Sequence, residues 1–197
     1  MSRLFDINEI NKSANQGCKL EACAMESITG DALFIRSKTS DLLNKLIGKI
    51  RPGQMIEFCT AGEFSMHELL QYLLSITGPA NVYLSTWTIK ETPARVIYSL
   101  INQGYIKGIY CVLDYRIRTL DAKHFDLIKS ILTEHKLTKC HAKTIAIEGE
   151  RMSLSVISSA NFSNNPRIET GCIKCSDESM EFHKAWIMDV IKGKKIY

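Results

Sequence analysis

What this chain lacks narrows its biology first. No apolar run approaches the roughly 20 residues that a membrane-spanning helix takes. The opening residues 1–9 are too polar for a secretory signal. A cytoplasmic protein without a membrane partner is therefore the expectation. Excess charge is also scarce: a net +4 permits an anionic partner but does not demand one. There is no internal repeat and no low-complexity tract, which argues against an array or a disordered chain. Cysteine is not lacking, but its seven copies are an odd number. Without a secretory signal that count argues for reduced thiols. Cys172 and Cys175, with Cys18 and Cys23, have the number for a zinc site. The strand-like run around Ile173 and Lys174 sends the first two sulfurs to opposite faces, so neither metal nor cofactor is expected.

What is present is enough for a core. A chain of 197 residues, 45% hydrophobic, is one domain with at most a modest extension. Residues 1–37 read as that extension, loosely ordered at first, then a small hairpin of residues 19–27 and 32–37 around Thr29-Gly30-Asp31, with a helix as the alternative for the first segment. Residues 38–197 read as the main domain. A helix over residues 40–50 carries the stripe Leu43, Leu46, Ile47 and Ile50. Arg51-Pro52-Gly53 ends it.

Strand and helix then alternate. Residues 55–60 form a strand. Ser65 with Glu68 makes a capping box for a helix whose Met66, Leu69, Leu70, Leu73 and Leu74 face inward. Residues 81–89 are the next strand, and Thr92-Pro93 reads as an N-cap with proline in the first helical position. Residues 106–113 run as a strand into Asp114, and Asp121 caps a helix bearing Phe125, Ile128 and Ile131. Residues 140–148, 152–158 and 168–174 follow as strands, the first two as an antiparallel hairpin. A last helix covers about 177–192. Strands separated by helices in this way imply an α/β fold, a mixed and largely parallel sheet sandwiched between helices. Ligands gather beyond the carboxyl ends of such strands.

The chemistry concentrates near residue 141. A lone His on an apolar strand usually just satisfies a hydrogen bond. Lys143, two residues on and so on the same face, changes the balance, because a partly buried ammonium wants an anion. Ser159 and Asn161 return towards the same end along the second strand. An imidazole, an ammonium, a hydroxyl and an amide on one surface suit a phosphate. Glu169, beside Arg167, is either a surface carboxylate or the partner that fixes the imidazole tautomer. Glu148 either supports Lys143 from behind or belongs to a polar turn with Glu150.

His141-x-Lys143, the acidic residue Glu148, Ser159-x-Asn161 and Glu169 together resemble the phospholipase D superfamily, whose signature is His-x-Lys, an acid, then Gly-Ser-x-Asn. Two positions depart from it: Glu148 stands for the usual Asp and Ser158 for the usual Gly. The resemblance implies a phospholipase D-like fold and metal-free phosphodiester hydrolysis, most plainly by a nuclease, through a phosphohistidine on His141. Lys143 and Asn161 would hold the non-bridging oxygens and Ser159 would assist. Glu169 would orient the ring. Only one such motif occurs, so a homodimer is implied. Two other classes stay open. One is a catalytically weak or inactive nucleic-acid-binding module; the other is a lipid-acting enzyme, which wants an apolar surface near the site that the sequence does not offer.

Near that site, Trp87 is either a core tryptophan or a platform for a base. Arg116 and Arg118 suit the phosphate backbone of DNA or RNA, or plain surface charge. His67, His124, His135 and His183 fall in or beside expected helices without metal spacing, and read as solvated.

Overall fold

The computed structural model describes residues 22–28, 31–37, 42–120, 122–163 and 167–194. Residues 1–17, expected to be loosely ordered, and the capping Asp121 lie outside them, as do Cys18 and the turn residues Thr29 and Gly30. Among the described residues nine strands form one sheet in the order β2-β1-β3-β9-β8-β7-β4-β5-β6. They are β1 (Ala22–Ile28), β2 (Asp31–Ser37), β3 (Met55–Thr60), β4 (Ala80–Thr86), β5 (Ile106–Asp114), β6 (Glu134–Thr138), β7 (Thr144–Gly149), β8 (Ser153–Ser158) and β9 (Glu169–Lys174). The helices are α1 (Leu42–Leu46), α2 (Met66–Thr77), α3 (Glu91–Asn102), α4 (Ile117–Leu120), α5 (Ala122–Ile131) and α6 (Asp177–Ile191).

The mixed sheet between helices stands, but its balance differs from the expectation. Only β4–β5 and β5–β6 pair in parallel, while the other pairings are antiparallel. The cause is topological. α3, α4 and α5 provide the crossovers that parallel neighbours require, whereas β7, β8 and β9 enter as a meander between β3 and β4. Those two strands, though linked by α2, never touch. β1 pairs along β3 and so continues the same sheet.

Two cores lie on the two faces. Leu69, Leu70, Leu73 and Leu74 of α2 are fully buried against one face, with Ala94 and Ile97 of α3 and Ile128 of α5. These are the residues that helical spacing assigns to the inner stripes. On the other face Met180 and Ile187 of α6 pack on Tyr83, Val112, Cys140 and Ala146.

Local chemistry fixes the element ends. The Ser65–Glu68 capping box forms as expected. α3, by contrast, is capped at Lys90 without a side-chain bond, and Thr92 and Pro93 fall inside its first turn. Proline costs nothing there, since first-turn N–H groups have no helical partner anyway. β6 was not expected: its sequence, Glu134-His135-Lys136-Leu137-Thr138, is polar because it is an edge strand. Gly171 in β9 is needed for space. A Cβ there would lie 2.4 Å from the Phe58 ring and 2.7 Å from the Ile157 carbonyl oxygen.

The antiparallel meander has one consequence for the site. β3, β4, β5 and β8 run one way and β7 and β9 the other. Hence the carboxyl ends of the first group and the amino ends of the second share one end of the sheet.

Candidate active site at the sheet end

β7 begins at Thr144, not at residue 140, so Cys140 to Lys143 is an extended lead-in rather than strand. It is pinned from two sides. The Ser158 N–H donates to the Lys143 carbonyl at 3.0 Å, and the Cys140 N–H donates to Asp114 Oδ2 at 3.2 Å. Asp114 closes β5 and is almost wholly buried. Its carboxylate also takes the Arg116 guanidinium on both oxygens, at 2.6 and 3.1 Å, and the Arg116 N–H at 3.1 Å. That donation, above all from the guanidinium, holds the Asp114 carboxyl down at about 2 against the opposing effect of burial. The sequence marked Asp114 only as a strand end. Its burial beside an arginine two residues on is the signal that was missed.

His141 is exposed and Lys143 half-buried. The Lys143 Nζ lies 3.4 Å from His141 Nδ1 and donates to the His141 carbonyl at 2.8 Å. Burial lowers the ammonium's pKa, while the charges at Cys140 and Glu169 raise it. Glu169 is therefore within electrostatic reach of Lys143. Its hydrogen bond, however, comes from the Ser159 hydroxyl and not from the imidazole expected there. The same hydroxyl accepts from the Thr170 N–H at 3.0 Å. β8 and β9 are thereby tied at the point where they reach the site.

Asn161 Oδ1 accepts from the Trp87 N–H and the Thr86 hydroxyl, both at 3.3 Å. The amide NH2 is left as the donor for an anion. The Lys90 N–H donates to the Phe162 carbonyl at 2.9 Å and fastens this loop to the start of α3. Ser158, in the glycine position, is the last residue of β8, and no non-glycine residue takes a positive φ among the described residues. Its hydroxyl instead binds the Thr170 carbonyl and the Ala160 N–H. The strand end has no need of glycine.

Trp87 and Arg116 are brought together, the guanidinium 5.3 Å from the ring centre. The Trp87 Nε1 is buried without a partner. Arg118 stands exposed on α4, and its charge is felt at His135 on β6. Glu148 is not at the site. It lies near the far end of β7, roughly 16 Å along the strand from Lys143, and binds Lys184 at 2.5 Å, Tyr83 at 2.9 Å and Asn81 at 3.3 Å. That placement puts Glu148 away from Lys143, next to the turn that follows β7, where Glu150 binds Lys107.

Two of the histidines read as solvated are buried. His183 accepts from Trp186 Nε1 at 3.1 Å. His67 lines a cavity of about 440 Å³ that opens beside Asn161 and Glu169. Helical spacing contained the signal: His67 precedes Leu70 and Leu74 by three and seven positions, on the buried stripe. The cavity's other walls include Thr60, Glu63, Phe64 and Arg167. No group of three or more potential metal ligands occurs among the described residues, and no helix among them is long and apolar enough to cross a membrane.

The fold is thus a mixed, mostly antiparallel sheet between helices, with polar groups converging at one end. No family model matches the sequence. No curated protein matches it either. In backbone course the chain is similar to a phospholipase D family member, Nuc, from Salmonella typhimurium. That likeness has 14% identity and a TM-score of 0.48 over 61% of this chain and 84% of that one. It is also similar to polyphosphate kinase from Porphyromonas gingivalis, at 14% identity and a TM-score of 0.49, over 71% of this chain and 26% of the kinase.

Proposed function

We propose that this protein is a phosphodiesterase of phospholipase D type, a nuclease that works without a metal through a phosphohistidine. The observation that carries the reading is the cluster at the sheet end: the Lys143 ammonium beside the His141 imidazole, 3.4 Å from Nδ1, with Ser159, Asn161 and Glu169 on the adjoining strand ends.

In this reading the His141 imidazole attacks phosphorus. An N–P bond forms and the P–O bond to the leaving group breaks. One imidazole cannot be nucleophile and acid on opposite sides of one phosphorus, so a second copy of the chain completes the site. The partner subunit's His141 gives its proton to the leaving oxygen. It then takes a proton from water, which attacks phosphorus and returns the N–P electron pair to His141. Lys143 and the Asn161 amide hold the non-bridging oxygens. Glu169 acts one step back, by holding Ser159 and by its charge on Lys143. Trp87 with Arg116 offers a flat cationic platform for a base, and Arg118 a backbone contact.

A binding module without turnover is the second reading. It is favoured by the Glu169–Ser159 bond, which leaves the imidazole without a carboxylate partner among the described residues. Hydrolysis of a nucleic acid or a chromogenic diester, with chelator present, by wild type and by His141→Ala separates the two. The enzyme reading predicts turnover that His141→Ala abolishes. Binding without any turnover selects the module.

A further inference from the structure

The charge of this chain is not spread evenly. Between Tyr115 and Lys143 stand seven Lys and Arg against three Asp and Glu. That surplus of four equals the net +4 of the whole chain, so the remainder is neutral in sum. The stretch comprises α4, α5, β6 and the lead-in that carries His141 and Lys143. Its Arg118, Lys129, Lys136 and Lys139 are exposed. Of its acids, Glu134 stands at the far end of β6 and Asp126 on α5. Among the described residues β6 is the outermost strand on its side of the sheet. His135 lies on it three residues before Thr138, roughly 10 Å back from the sheet end. Burial lowers the His135 pKa, and the charges of Lys129 and Arg118 lower it further, so both cations lie alongside this edge. A border of one sign that leads away from the motif fits a polyanion.

Charge alone does not say which polyanion, but the flat groups at the sheet end do. β4, β5 and β6 are parallel neighbours whose last residues pair in register, Thr86 with Leu113 and Asp114 with Thr138. Trp87, Tyr115 and Lys139 each follow one of these strands directly, so they stand in a row, about 4.8 Å per strand gap. The lead-in crosses back over the same ends, where Asp114 holds the Cys140 N–H. The Arg116 guanidinium is bound on both carboxylate oxygens of Asp114, so its charge is already answered. What it keeps is a planar face, 5.3 Å from the Trp87 ring centre and 5.8 Å from that of Tyr115. Tyr115 is 49% exposed, and its N–H donates to the Thr138 carbonyl at 2.9 Å, which fixes its backbone beside Lys139. An unpaired base has bare faces that can lie on such groups. A duplex stacks those faces inside itself and shows only edges and phosphates, and an anionic membrane offers none.

We infer that this border is a track for single-stranded nucleic acid. Unpaired bases stack on Tyr115, Arg116 and Trp87 at the sheet end, and the phosphates continue along β6 past Arg118 and Lys129. That a strand held there reaches the cutting site rests on the nuclease reading above. The preference for single strands rests on the rings and the charge alone.

The test is fluorescence anisotropy with three labelled ligands of about 12 nucleotides: oligothymidylate, a duplex, and a strand of abasic sugars with the same phosphates. Each is titrated against full-length wild type on ice and against His141→Ala, in which no strand is cut. Oligothymidylate should bind about tenfold or more tightly than either of the others, since stacking on rings is lost in both. Tyr115→Leu should weaken oligothymidylate about fivefold and leave the duplex and the abasic strand unmoved, while Tyr115→Phe should bind as wild type does. Arg118→Gln with Lys129→Gln should weaken all three ligands and flatten the salt dependence, by about 0.7 in log–log slope per lost contact for the single strands. A preference for oligothymidylate below threefold, no effect of Tyr115→Leu, or tighter binding to vesicles of phosphatidylserine and phosphatidylcholine overturns the inference. The comparison of ligands on wild type needs no variant, so misfolding of a variant does not shield it. Hydrolysis is measured separately. Diesters cleaved without a single-strand preference in binding sink this inference alone, and single strands bound with no diester cleaved sink the enzyme reading alone.

Discussion

Asp114 ties the fold to the site, and replacing it with Asn gives the sharpest prediction. The carboxylate is 2% exposed, its partner Arg116 47%. Holding the acid at about 2 instead of its usual 3.8 corresponds, at about 1.4 kcal/mol per pH unit, to roughly 2.5 kcal/mol. Half of the pair is open to water, and screening reduces this to about 1–2 kcal/mol. Asp114→Asn keeps an acceptor for the Cys140 N–H but discards the charge that Arg116 holds. The variant should be less stable by about 1–2 kcal/mol at neutral pH, or roughly 2–8 °C in Tm for a chain of this size. The sign with pH follows from the lowered pKa. The folded state binds the proton less tightly than the unfolded one, so the charge stabilises above about pH 4 and is lost as pH falls towards 2. The gap between wild type and Asp114→Asn should therefore close over that window. Urea titrations at neutral pH and at steps below pH 4 measure it. A neutral-pH gap under about 0.5 kcal/mol, or a gap that persists undiminished near pH 2, refutes the reasoning.

His141→Ala should abolish hydrolysis while leaving nucleic-acid binding largely intact, and Lys143→Ala should damage both. Losing general acid–base work alone costs about 10²- to 10⁴-fold, and filter binding with initial rates separates the two effects. Glu148→Gln should lower stability by about 1–2 kcal/mol through the lost charge at Lys184 and Tyr83. It should leave kcat unchanged, since Glu148 stands at the opposite end of β7; a large fall in kcat at full folding would return it to the site. Gly171→Ala should destabilise by about 1–3 kcal/mol, because its Cβ meets backbone as well as the Phe58 ring. A thermal melt equal to wild type would show that β9 has slack.

The longer helices were legible because their apolar stripes are local, as at Leu69, Leu70, Leu73 and Leu74, whereas the single turn of α4 falls where a loop was expected. So was the hairpin of β7 and β8, whose turn lies in adjacent sequence. The insertion of β7, β8 and β9 between β3 and β4 was not, because it depends on pairings across more than a hundred residues, such as Thr60 with Glu169. That non-local pairing also decides the site. It brings Glu169 to Ser159, which motif spacing alone could not reveal, whereas Glu148 is carried away from Lys143 by the local extension of β7. His141, Lys143, Ser159 and Asn161 were legible as residue types that suit a phosphate. Asp114 owes its meaning to burial, which a single residue in a sequence does not announce, whereas the burial of His67 was readable from its place on the apolar stripe of α2.

The central claim is a covalent bond between His141 and phosphorus. Acid-free quenching during turnover of a labelled diester, followed by mass spectrometry, tests it directly. The account predicts a phosphorylated adduct on His141 that survives alkali, decays in acid and is missing from His141→Ala. Steady turnover with no adduct on His141, or more than a few per cent of wild-type hydrolysis in His141→Ala, would contradict it.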